Sequence, residues 1–233
     1  MNGPPLEVVV RGDLACFTRP EMKVERVSYP VMTPSAARGI LEAIFYKPEM
    51  FWQVREIAVL EPIRWFSIKR NEVSSRASYR AVQGWKGSGD GYFADEDRTQ
   101  RATLALRDVG YLIRADVILK PHADKEIAAY RDQFRRRVAR GACFHHPCLG
   151  CREFAAHFYE PTGFERPIDV TDDLGQMLFD LDYDPPLDQA THKCPGTATP
   201  VFFPAKLENG VMAVPSEYYA QLRWARDRKE EVQ

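Results

Sequence analysis

Hydrophobic residues recur along this chain with two different periods, and the order in which those periods alternate restricts the fold more than any other feature. Leu6 to Phe17 alternates and is rich in valine, which is the pattern of a strand. After a loop containing Pro20 and Pro30, Thr33-Pro34 opens a helix, because the Thr33 hydroxyl can cap free N–H groups and proline suits the first helical position. Ala36, Ala37, Ile40, Leu41 and Ile44 form the apolar stripe of this helix, and Pro48 stops it just after Tyr46. Trp52 to Ile68 is a β-rich run interrupted at Glu61-Pro62. Residues 70–100 are polar, contain Gly84, Gly87, Gly89 and Gly91, and read as a loop or an extended hairpin. Thr103 to Leu119 alternates again, with a turn expected at Asp108-Val109-Gly110. Ile127, Tyr130, Phe134 and Val138 then fall at helical spacing, in a helix expected to be capped by Asp124 and ended by Gly141. Glu153 to Tyr159 reads as a strand.

Strand, helix, strands, strands, helix, strand is the order of a ferredoxin-like α+β unit, with helices on one face of an antiparallel sheet. It covers residues 1–160. Residues 161–233 are rich in proline and acid, then offer a short hairpin (Val201 to Ala205, Val211 to Val214) and a terminal helix from Ser216. They are expected to form a small β-rich C-terminal subdomain.

Composition narrows the function classes. With 233 residues, 45% hydrophobic and 28% charged, the chain is neither disordered, nor collagen, nor a coiled coil. No run of about 18 apolar residues is present, so no membrane span is expected, and MNGPPLEVVV lacks the basic and apolar regions of a signal peptide. Five cysteines and no export signal point to reduced thiols in a cytoplasm. The net charge of −1 hides a polarity. Residues 101–152 carry 11 basic and 5 acidic side chains, net +6, whereas residues 153–188 carry 1 and 10, net −9. Such a chain can bind a polyanion with one face, or the two blocks can neutralise each other in the fold.

Five local patterns can carry chemistry. Cys143, Cys148 and Cys151, with His145 and His146 among them, include a Cys-Leu-Gly-Cys pair that could hold zinc, but the second pair of a zinc ribbon is missing. A tight turn with buried thiols is the stronger reading, so no metal and no cofactor is expected. The loop GWKGSGDG at 84–91 lacks the order of a phosphate-binding P-loop. Trp85 could stack on a base there and Lys86 could meet a phosphate. Tyr46, opposite the apolar stripe on the line of Arg38 and Glu42, is expected to be exposed. Lys120-Pro121-His122 follows a strand end, where an amine and an imidazole can steady negative charge and move protons. The helix after it carries Arg131, Arg135, Arg136, Arg137 and Arg140. Its like-charged i, i+4 pairs are unfavourable unless a polyanion or the acidic block at 165–188 faces them.

ACFTRPEMKVERVSYPVMTPSAARGILEAIFYKPEM (15–50) resembles the CRISPR-associated Cas-five family in its type I-C (Dvulg) form. The resemblance continues at IRWFSIKRNEVSSRAS (63–78), QRATLALRDVGYLIRADV (100–117) and PCLGCREFAAHFYE (147–160), and more loosely at LGQMLFDLDY (174–183). It implies a ferredoxin-like, RRM-like N-terminal domain and a metal-independent endoribonuclease that cuts precursor CRISPR RNA at the 3′ base of the repeat hairpin. It further implies attack by the 2′-hydroxyl, a 2′,3′-cyclic phosphate product, and retention of the 5′ handle within the type I-C interference complex. The family uses a tyrosine after the first helix and an adjacent lysine–histidine pair. The matching positions here are Tyr46, Lys120 and His122, with Pro121 between the last two. Arg19, Lys23, Arg26, Lys69, Arg70, Arg76, Arg80, Trp85, Lys86, Arg131 and Arg135 are the candidate RNA contacts. Precursor and mature CRISPR RNA and the backbone and large subunits of the complex are the expected partners, with double-stranded DNA as a further candidate and no membrane. The alternative reading is a non-catalytic scaffold that holds the guide RNA, and a zinc-dependent interaction module at 143–151 is the third.

Overall fold

A single 22-residue strand, β5 (Arg98–Leu119), organises the sheet. The computed structural model describes residues 3–75, 82–85, 91–184 and 197–225. At about 3.3 Å per residue β5 is roughly 70 Å long, and different partners use its two halves. β1 (Leu6–Ala15) runs antiparallel to it from Ala115 to Leu106, and the two-residue β2 (Arg26–Val27) continues that edge in parallel at Thr103 and Leu104. On the other edge, β3 (Met50–Val59) pairs with Tyr111 to Leu119 and β4 (Trp65–Val73) with Arg98 to Leu106. The turn expected at Asp108-Val109-Gly110 is therefore not a chain reversal. Asp108 takes a positive φ of 51° while pairing with β1 continues on both sides of it. Aspartate tolerates that conformation, so a turn-like tripeptide sits inside a continuous strand.

β6 (His157–Tyr159) joins the outer edge of β1 and β9 (Val211–Ala213) the outer edge of β3, giving the order β6-β1-β5-β3-β9. Strand alternation sends Val8 and Val10 into the main core and Val9 to the opposite face, where it meets Ala58 and Leu112. α1 (Pro34–Ile44) and α2 (Ile127–Ala139) cover the main core face. Thr33 Oγ1 accepts from the Ala36 N–H at 3.2 Å, as its place before proline predicts. Trp52 and Phe134, both fully buried, pack with ring centroids 4.7 Å apart and join β3 to α2. α2 begins later than expected. Glu126 occupies its cap position without a side-chain cap, and Asp124 instead accepts from the Tyr130 hydroxyl at 3.3 Å.

The C-terminal region departs most from expectation. β7 (Asp172–Asp184), hidden in the acidic run, pairs with β8 (Thr197–Leu207) in a separate two-stranded ribbon. β8 and β9 are joined by a tight turn at Asn209 and Gly210, with φ values of 49° and 76°. A Cβ on Gly210 would sit 2.2 Å from the Ile168 carbonyl oxygen, so only glycine fits. Past that turn the strands diverge, and the residues from Ser216, where a terminal helix was expected, form two short 3₁₀ segments, Ser216–Gln221 and Arg223–Ala225. The region shares the main core: Phe179, Phe203 and Tyr219 belong to it, and the Val54 N–H donates to Tyr219 Oη at 2.8 Å. No described helix is long and apolar enough to cross a membrane.

Candidate active site and nucleic-acid interface

Tyr46 stands on a connection whose backbone is tied down on every side. α1 ends at Phe45, whose extended φ of −151° turns the chain away from the helix axis. The last carbonyls of a helix need partners from outside it, and here three are supplied. Phe144 N–H donates to Ala43 O at 2.7 Å, Arg137 Nη1 to Ile44 O at 2.7 Å, and Trp52 Nε1 to Phe45 O at 2.9 Å. The next residue, Tyr46, is 45% exposed. Its line along α1 is not solvent, however: Arg38 is covered by the β7–β8 ribbon, pairing with Asp180 at 2.7 and 2.9 Å, with Glu42 at 2.8 Å, and lying over the Trp224 ring at 4.7 Å.

The second half of the site is the turn at the end of β5. Ala123 N–H donates to Lys120 O at 3.0 Å, closing a β-turn with Pro121 at its second position, where proline's fixed φ is favoured. Proline thus places half-buried Lys120 at the base of one turn and exposed His122 near its tip. Lys120 N–H also donates to Glu49 O at 2.8 Å, one step beyond the Met50–Leu119 pair of the β3–β5 ladder. The connection carrying Tyr46 and the turn carrying Lys120 and His122 are therefore hydrogen-bonded neighbours at one end of the sheet. The tether joins backbones; a phenol, an amine and an imidazole meeting at one phosphodiester could orient it, compensate its charge and transfer a proton.

The other sequence-selected cations fall into distinct environments. Arg26 and Arg70, 44 residues apart in sequence, converge on the same two carboxylates. Arg26 meets Glu153 at 3.1 Å and Glu72 at 3.5 Å, while Arg70 meets Glu72 at 3.2 Å and also pairs with Glu153. Arg19 stacks on Tyr29 at 4.7 Å and pairs with Glu21 at 3.8 Å. Lys23 and Lys69 are exposed and make no ion pair among the described residues. The arginines of α2 divide by helix face. Arg131 is only 5% exposed and donates to Pro4 O, so it belongs to the interior and not to a phosphate-facing ridge. Arg137 braces α1, Arg135 pairs with Asp132 at 3.1 Å, and Arg136 and Arg140 point outward. None of them pairs with the acidic block, whose described ion pairs are Asp180 with Arg38 and Asp182 with Arg223. Trp85 is half-buried and stacks on Tyr92 with centroids 6.0 Å apart. Arg76, Arg80 and Lys86 lie outside the described residues.

The cysteines support a fold contact. Gly150, at φ 84°, presses against Cys16 so closely that a Cβ would lie 2.0 Å from the Cys16 carbonyl oxygen. Cys151 Sγ lies 3.8 Å from that oxygen, 4.0 Å from Thr18 Oγ1 and 3.7 Å from Arg26 Nη1. Hydrogen bonding with Cys16, helped by Arg26, holds the Cys151 thiol below the usual thiol range. Among the described residues no group of three or more His, Cys, Asp or Glu is placed to hold a metal ion.

The model of the family described as CRISPR-associated protein (Cas_Cas5) matches residues 6–215, most of the chain. A curated relative from Thermus thermophilus, named CRISPR pre-crRNA endoribonuclease Cas5d, is 46% identical over 225 residues, covering 93% of this chain and 94% of its own. The chain belongs to the Cas5d family of CRISPR-associated proteins. A second Cas5d relative with the same name, from Mannheimia succiniciproducens, is 43% identical and covers 91% of this chain and 95% of its own. Two solved structures share the fold seen here. A crystal structure of a CRISPR-associated protein superposes with a TM-score of 0.65 at 22% identity, covering 94% of this chain and 95% of its own. A functionally uncharacterized protein from Streptococcus mutans gives 0.62 at 21%, covering 93% and 95%. For this Cas5d chain, the mixed α/β architecture and the mostly antiparallel sheet agree with the sequence-derived expectation.

Sequence reasoning missed three site features: the tether from Lys120 to Glu49, the brace from Arg137, and Lys47, which faces the same end of the sheet. Arg137 could have been found from its position one turn after Phe134. The tether involves backbone atoms and leaves no mark in side-chain pattern.

Proposed function

We propose that this protein is an endoribonuclease that matures precursor CRISPR RNA and then retains the 5′ handle of the product within the type I-C interference complex. The observation that carries the reading is the hydrogen bond from Lys120 N–H to Glu49 O. It sets the Tyr46 connection beside the Lys120-Pro121-His122 turn, in a chain whose curated relatives bear that activity in their names. At the scissile step the ribose 2′-oxygen attacks the adjacent phosphorus and the bond to the 5′-oxygen breaks, leaving a 2′,3′-cyclic phosphate and a free 5′-hydroxyl. The proton on the 2′-hydroxyl must be removed and one must be delivered to the departing oxygen. His122 performs one of the two proton transfers as general acid or base, Tyr46 positions the phosphate and relays the other proton through its hydroxyl, and Lys120 offsets charge on the phosphate. These residues supply the whole reaction without a metal ion, at the 3′ base of the repeat stem.

The strand order β6-β1-β5-β3, with α1 after β1 and α2 after β5, supports a ferredoxin-like, RRM-like reading of residues 1–160 as the catalytic and RNA-binding unit. Residues 161–233 are its C-terminal subdomain, and the cytoplasm is its place of work. The test is incubation with repeat RNA in EDTA. A single cut that disappears when the 2′-hydroxyl before it is replaced by hydrogen is the expected result. Tight binding without cleavage would overturn the nuclease and leave a guide-holding scaffold.

A further inference from the structure

An open groove of about 520 Å³ lies between the connection after α1 and the outer face of α2. Lys47 and Glu49 line one wall, and Lys125, Asp132, Arg135 and Arg136 the other. Its charges do not cancel. Asp132 is committed to Arg135 at 3.1 Å, but Lys47, Lys125 and Arg136 make no ion pair among the described residues. Two carboxylates of the lining, Glu49 and Asp124, face these three cations, which leaves the groove with a net charge of +1. Glu49 also accepts the Lys120 N–H through its backbone, so the groove opens directly beside the 120–123 turn. The α2 wall is regular: residues 129, 132, 133 and 136 recur at helical spacing and cover about 10 Å at 1.5 Å per residue. Like-charged Arg136 and Arg140 on that surface are mildly unfavourable without an anion nearby.

We infer that this groove is the track for a single RNA strand leading away from the scissile phosphate, with Lys47, Lys125 and Arg136 each meeting a phosphate. The inference rests on the ribonuclease reading of the neighbouring turn. Extent and chemistry favour one strand over a duplex, because the α2 wall covers only about 10 Å, room for a few nucleotides of one strand. The Glu49 carboxylate offers a hydrogen-bond acceptor to a ribose 2′-hydroxyl, a donor that DNA lacks.

The test uses the full chain and labelled repeat RNA in EDTA, with affinity measured against potassium chloride and cleavage measured in single turnover at saturating protein. The triple variant Lys47→Ala, Lys125→Ala, Arg136→Ala should bind about 10- to 100-fold more weakly, and its log–log salt slope should fall by about 2, from three single-strand phosphates at about 0.7 each. Arg136→Gln alone should remove about a third of the slope change, which guards against a folding defect in the triple variant. An unchanged slope and affinity in the triple variant would overturn the groove whatever happens to cleavage. If the parent binds but does not cut, and the triple variant still loses slope, the nuclease reading fails and the groove stands. An all-deoxy strand that binds the parent as tightly as RNA, and is weakened as much by the triple substitution, would overturn the assignment to RNA.

Discussion

Two basic regions of this molecule look alike as sequence and differ as chemistry. Around β2 and β4, Arg26 and Arg70 share Glu72 and Glu153, so their charge is spent inside the fold. Around the end of β5, Lys47, Lys125 and Arg136 face a groove whose one acid–base pair is internal to α2. A cation whose partner is supplied by the fold holds elements together; one without a partner is available to a phosphate. Local charge density therefore says little about binding, and the balance left after internal pairing says much more.

The comparison breaks most visibly at the reaction itself. His122→Ala should slow single-turnover cleavage by about 10²–10⁴, the usual contribution of a proton-transfer group, with RNA affinity nearly unchanged. Tyr46→Phe should slow it less. Equal loss of rate from Arg70→Ala would put the paired region into the mechanism and erase the contrast.

Next in size is the most buried of the paired arginines. Arg38→Ala would leave Asp180, with a side chain only 4% exposed, without its cation. A loss of about 3–5 kcal/mol is expected, read as a fall in melting temperature of roughly 10 °C. A fall below about 2 °C would show that the pair contributes little to the packing of the β7–β8 ribbon.

The third prediction separates the two regions directly. Arg26→Ala with Arg70→Ala should leave the salt slope of RNA binding within about 0.5 of the parent, while the groove variant loses about 2. Removing the shared acid, Glu153→Gln, should cost about 1 kcal/mol, since its side chain is 44% exposed. If the paired arginines carry as much of the slope as the groove cations, the distinction fails.

The smallest effect is a titration. With its thiol lowered by Cys16 and Arg26, Cys151 should be the first cysteine alkylated by iodoacetamide, with a midpoint below that of an ordinary thiol. A depressed value means that the thiolate persists to lower pH than that of an ordinary cysteine and is lost as pH falls through the lowered midpoint. Arg26→Ala removes the stabilising cation, so the midpoint should rise and alkylation at pH 7 should slow. An unmoved midpoint would detach Arg26 from the thiol.

Much of the architecture was legible residue by residue. Thr33-Pro34 marked the start of α1 because capping and a fixed φ act within one turn. The spacing of Tyr130, Phe134 and Val138 announced the buried face of α2, and Gly141 its end. Tyr46 was placed on a helix end, and Lys120 and His122 at a strand end, by the same local rules. What failed locally failed for a physical reason. Asp108 and Gly110 look like a turn, but cross-strand pairing with β1 outweighs that preference. The alternation of β7 was masked by its aspartates, one of which faces a buried arginine from a helix 142 residues away.

What the sequence determined by itself was the order of elements, their buried faces and the family resemblance, because capping, periodicity and motif spacing all operate over a few residues. Only the tertiary structure decided that the Pro121 turn would be tethered to Glu49, that Arg131 and Arg137 would be interior braces while Arg136 faced outward, and that Arg26 would meet an acid 127 residues away. Charge pairing depends on distance in space, and no local period in a chain encodes which distant carboxylate will lie within reach.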